Sequence, residues 1–73
     1  MASGSDALLT LRATVPKSAE KLFARAQGEA SRRLRSEAER RLGRRRVAAG
    51  VRFEEERAAT ERGVVITLRA YSV

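Results

Sequence analysis

The sequence predicts an α+β fold, a three-stranded antiparallel sheet with one long helix packed on one face. Apolar residues alternate with polar ones between Ala7 and Val15. A narrow apolar stripe then recurs at spacings of three and four from Ala19 to Leu42. After Gly43 alternation returns in two stretches divided by a glycine-marked turn. Period two is the mark of a half-buried strand and period 3.6 that of an amphipathic helix, so the element order is β-α-β-β.

In the first strand Leu9, Leu11, Ala13 and Val15 are expected to face the core. Pro16 cannot continue a hydrogen-bonded ladder and pre-sets φ for a helix start. Ser18 is the expected N-cap, with Glu20 in the first turn where the helix dipole favours a negative charge. The helical stripe is Ala19, Leu22, Phe23, Ala26, Ala30, Leu34, Ala38 and Leu42. Half of it is alanine, which permits close approach but buries little area. Gly43 follows the last stripe residue as the expected C′ glycine, and Arg44, Arg45 and Arg46 then lie beside the negative end of the dipole. Val47, Ala49, Val51 and Phe53 alternate as the second strand, Ala58 to Gly63 holds the turn, and Val64 to Val73 forms the third strand. Leu34 and Phe53 are expected in the core.

Strand-helix-strand crossovers are right-handed, and consecutive strands joined by a short turn pair as a hairpin. The third strand is the most apolar, so it belongs in the middle, giving the order 1-3-2. The second strand carries Arg52, Glu54, Glu56 and Arg57, charges suited to an edge. Residues 1–6 read as a flexible leader and residues 7–73 as a single β-α-β-β domain. In topology alone this order is similar to that of the dodecins, small flavin-storing oligomers. The chain has no tryptophan to stack on a flavin, its helix is longer, and no cofactor is expected.

A chain of 73 residues buries only about 60% of the surface its unfolded form exposes, so it needs added support. It has no cysteine and no histidine, which excludes disulfides and metal sites built from those residues. A partner subunit is the remaining support. One helix leaves the outer sheet face bare, and Leu8, Val65, Tyr71 and Val73 on it form the candidate oligomer face. No apolar run approaches the length of a membrane span, and no membrane partner is expected. The lack of cysteine suits the cytoplasm, or a virion for a viral chain.

The net charge is +7, and only Lys17 and Lys21 among the sixteen basic residues are lysines. Residues 31–46 hold eight arginines against Glu37 and Glu39. Arginine matches phosphate with a planar fork of donors, and a clustered basic stretch is the footprint of nucleic-acid binding. Arg32, Arg35, Arg40, Arg44, Arg45 and Arg46 are the candidate polyanion-binding residues. The competing reading is a solvated face, with Arg25, Glu29, Arg33, Glu37 and Arg41 tied as an i,i+4 ladder. Three aromatic residues are too few for a base-stacking platform. Glu54, Glu55 and Glu56 do not make a catalytic cluster, because on a strand only Glu54 and Glu56 share a side, where Arg69 or Arg12 can pair with them. The serines have no histidine to activate them, so no enzyme is expected. The leading expectation is a non-catalytic structural module that self-associates, a component of a larger assembly such as a virion. The alternative is a basic protein that binds nucleic acid non-specifically, contacting phosphates through the arginine-rich end of the helix.

Overall fold

The expected architecture forms, with the third strand at its centre. The computed structural model describes residues 6–73, so the leader expected over residues 1–6 lies, but for Asp6, outside the described residues. The elements are β1 (Leu9–Pro16), α1 (Glu20–Leu42), a short α2 (Arg44–Ala49), β2 (Val51–Thr60) and β3 (Gly63–Ser72). β3 lies between β1 and β2 and is antiparallel to both. Its register runs from Leu9 opposite Ala70 to Pro16 opposite Gly63 on one side. On the other it runs from Val51 opposite Ser72 to Thr60 opposite Gly63.

The alternation decides which side chains meet α1. In β1 the odd-numbered residues turn inward and the even-numbered ones are exposed. In β3 the inward set is Val64, Ile66, Leu68 and Ala70, all buried. These meet Val15 from β1 and Leu34 and Ala38 from α1 to form the core, with Phe23, Ala26 and Ala30 packed at its margin. Among the described residues Ile66 is the one large side chain that is wholly enclosed. The helical stripe runs past this core at its start, where Ala19 is exposed and Leu22 is 59% exposed. The molecule is a plate with extents of 40 × 30 × 13 Å and a radius of gyration of 13.9 Å. A compact domain of this length has a radius of gyration of about 11 Å.

Several boundaries differ from expectation. The N-cap of α1 is Ala19 rather than Ser18, and no side chain caps it. The carbonyl of Ala19 accepts the Phe23 N–H at 2.7 Å, so the backbone starts the helix without Ser18. Gly43 ends α1 with φ 92, its N–H donating to the Glu39 carbonyl at 3.0 Å. The same residue starts α2, because its carbonyl accepts the Val47 N–H at 3.1 Å. Arg44 to Ala49 is therefore helical, not a loop followed by strand. Arginine and alanine are strong helix formers, and an alternation of only Val47 and Ala49 cannot outweigh them.

β2 is correspondingly displaced and runs to Thr60, so Ala58 and Ala59 pair with Val65 and Val64 instead of turning. Only Glu61 and Arg62 form the turn, with no positive φ outside glycine. The Thr60 hydroxyl closes it by accepting the N–H groups of Arg62 at 3.2 Å and Gly63 at 3.1 Å. Gly63 has φ 155, and close approach is what demands glycine there: a Cβ would strike the Val15 carbonyl oxygen and crowd Lys17 N and Pro16 Cα. Phe53 is half-buried rather than fully in the core.

Ile66→Ala is expected to cost roughly 2–5 kcal/mol, the usual range for emptying a buried aliphatic site. Leu22→Ala is expected to stay within about 0.5 kcal/mol, as for an exposed position. Urea unfolding of both variants checks this; equal midpoints would mean that Ile66 does not carry the core.

Candidate functional site

The outer sheet face is a grid of four rows across three strands. From one end to the other they are Thr14, Val65, Ala58; Arg12, Thr67, Glu56; Thr10, Arg69, Glu54; and, past the end of β1, Tyr71 beside Arg52. Charges occupy the middle of this face. Arg69 Nη1 donates to Glu56 Oε1 at 2.9 Å, as the sequence suggested, and Arg52 pairs with Glu54. The Glu56 hydrogen bond holds the Arg69 guanidinium above its ordinary pKa. The Arg52 guanidinium also lies 4.8 Å over the Tyr71 ring, a cation–π contact that covers part of the one aromatic on this face. Of the candidate oligomer residues, Val65 and Tyr71 are half-buried and stand three rows apart, with Thr67 and Arg69 between them on the same strand. Leu8, 37% exposed, and Val73, 87% exposed, lie toward the Tyr71 end. The four do not make a continuous apolar patch.

The bare surface lies instead on the inner face. The backbone of α1 packs against β1 and β3 and nowhere approaches β2. The inward-turned residues of β2 are Phe53, Glu55, Arg57 and Ala59, and beyond Phe53 the whole strand is exposed. Arg57 reaches the helix with its side chain alone, donating to Gln27 Oε1 at 3.2 Å and Ser31 Oγ at 2.9 Å, and its Nε donates to Glu55 Oε2 at 2.9 Å. A groove of about 260 Å³ between α1 and β2 is lined by Ser31, Arg32, Arg35, Phe53, Glu55 and Leu68. Glu55 and Arg57 fall on the helix side of β2, and these two charges are the sequence signal that no helix covers it.

The candidate polyanion residues divide into two groups. Arg35 lies 4.1 Å over the Phe53 ring and 3.6 Å from Glu39. Arg40 donates to both carboxylate oxygens of Glu37, at 2.6 and 2.7 Å. Arg41 donates to the same carboxylate at 2.6 Å. By contrast Arg32, Arg44, Arg45 and Arg46 are exposed and form no ion pair among the described residues. Arg33, expected in the ladder, is also exposed and forms no ion pair among them. Of that ladder only the Glu37–Arg41 rung closes; Glu29 is not engaged by Arg25 or Arg33. The hydrogen bonds from Arg40 and then Arg41 hold the Glu37 carboxyl below the ordinary carboxylate range, and Glu37 in turn raises Arg40.

Comparison with family models, with curated proteins and with solved structures gives no match.

Replacing Arg40 and Arg41 by Gln is expected to raise the Glu37 pKa toward the ordinary carboxylate value. A depressed folded-state pKa contributes stability that is present at neutral pH and lost as pH falls through it, so the variant should also lose part of its acid-range pH dependence. NMR titration of the carboxyl carbons measures both; an unchanged Glu37 midpoint would show that the fork is not held in solution.

Proposed function

We propose that this protein is a non-catalytic structural module that works by self-association, a component of a larger assembly. The uncovered β2 strand carries this reading: a long edge strand with its helix-side face open, in a plate less compact than its length allows. Buried apolar area is what offsets the entropy of ordering the chain. Here the enclosed apolar set is seven residues, two of them alanine. A second subunit supplies further buried surface. The chain contains no histidine or cysteine, and the described residues hold no group of three or more side chains suited to a metal ion. No helix in the described residues is long and apolar enough to cross a membrane. At micromolar concentration, light scattering coupled to size exclusion should give a multiple of 8.1 kDa. A mass of one chain together with cooperative unfolding would reject self-association.

A second reading is supported by a separate observation, the exposed arginines of α2. Among the described residues no carboxylate holds Arg44, Arg45 or Arg46, and with Arg32 they are free to meet phosphates of a nucleic acid. Such binding would be electrostatic and indifferent to sequence. Its affinity should fall with salt at a log-log slope of about −0.9 per duplex phosphate contacted. Changing the three α2 arginines to Gln should flatten that slope equally for unrelated duplexes. α2 contributes no buried residue, so the fold should survive. Titrations at several salt concentrations test this; no binding at low salt would remove the reading, and a strong preference for one sequence would contradict it.

A further inference from the structure

We propose that two copies of this chain pair edge to edge through β2, antiparallel and centred on Glu56, to form a continuous six-stranded sheet; this rests on the self-association reading and names its surface. The sheet has two open edges, β1 and β2. A two-fold pairing of β1 with itself would bring together two helices that each already lie over β1. Helices need 8–10 Å between axes, while neighbouring strands are only about 4.8 Å apart. β1 also ends at Pro16, which offers no N–H. β2 has neither obstacle. It is ten residues long, contains no proline, and is not approached by the backbone of the long helix α1; only the short α2, which precedes it in the chain, touches it.

The ladder decides which residues of β2 can bond outward. Val73 N–H donates to the Gly50 carbonyl, and the two-residue turn closes on the pair Thr60 and Gly63. Even-numbered positions of β2 therefore bond to β3, and the N–H and C=O groups of Val51, Phe53, Glu55, Arg57 and Ala59 point to the free edge. Centring the two-fold on Glu56 sets Glu55 opposite Arg57 of the second copy, and Arg57 opposite Glu55 of the second copy. Phe53 then faces Ala59 of the second copy. Since Arg57 already holds Glu55 of its own chain at 2.9 Å, the result on the inner face is a square of alternating charge. Centres one residue away are worse. Centring on Glu55 sets that carboxylate against itself, and centring on Arg57 does the same for the guanidinium; like charges directly opposite are destabilising. The favoured register also sets Glu56 against itself, on the outer face where Arg69 of the same chain holds each carboxylate, but it alone of the three makes opposite-charge pairs between the copies.

The charge square supplies the test. Glu55→Arg makes all four corners positive, and Arg57→Glu makes all four negative. Each variant alone should run as a monomer of 8.1 kDa where the wild-type chain runs at twice that mass, its dimer dissociation constant weakened by about tenfold or more. An equimolar mixture of the two restores both opposite-charge pairs between the copies and should form a one-to-one heterodimer, which also proves that both variants are folded. Sedimentation velocity on the wild type, each variant and the mixture reads all of these. Variants that dimerise as well as the wild type would overturn the β2 pairing and leave self-association through another face. Variants that stay monomeric when mixed would overturn the register. A wild-type mass that grows past two copies with concentration would overturn the two-fold in favour of β2 pairing with β1 of the next copy. A monomeric wild type would overturn both this pairing and the proposed function.

Discussion

A helix with its side chains is about 10–12 Å wide and strands are spaced about 4.8 Å apart. One helix therefore covers two strands, and this sheet has three. The helix takes the pair that includes the most apolar strand, β3, and the rest of the molecule follows from that choice. Val15, Val64, Ile66, Leu68, Leu34 and Ala38 close into a core. β2 is left holding the sheet by hydrogen bonds on one side and by a few long side chains from above. Its inward positions can then tolerate Glu55 and Arg57, which no covered strand would accept unpaired.

The topology was legible because the physics behind it is local. Alternation in β1 and β3 is regular over eight residues or more, and the stripe in α1 is sustained over many turns. Chain connectivity then leaves few ways to arrange three strands and a crossover helix. What was not legible depended on short stretches or on neighbours distant in sequence. Val47 to Ala49 is too brief for period two to be told from a helical turn. The strand character of Ala58 to Thr60 comes from pairing with Val65, Val64 and Gly63 and from a two-residue turn closed by the Thr60 hydroxyl. The position of the helix over two strands rather than three is a matter of packing, and no periodicity within α1 records it. For the same reason the open flank of β2 on the inner face has no signature in the periodicity of α1.

The arginines are unevenly committed. Glu37 and Glu39 draw Arg35, Arg40 and Arg41 inward along α1, so the densest part of the basic stretch is partly neutralised by its own helix. Past Gly43 there is no acidic residue in α2 to do the same. The uncompensated charge therefore sits on a separate short helix, outside the core and away from the centre of β2. The proposed self-association through β2 and the proposed anion contact through α2 would use different residues.

The pairing of Leu9 with Ala70 joins the two ends of the described chain, whereas β2 and β3 meet across a two-residue turn. Loop closure costs more entropy as the intervening chain lengthens, and hairpins form in microseconds. The hairpin is thus the local unit of folding, and β1 must return to it from the far side of a long helix. Until it does, β3 presents an open, strongly apolar edge. A β1 strand arriving from another molecule satisfies that edge as well as the chain's own, so the same long crossover that gives the fold its order also makes it a candidate for strand exchange at high concentration, detectable as interlocked species that persist on dilution.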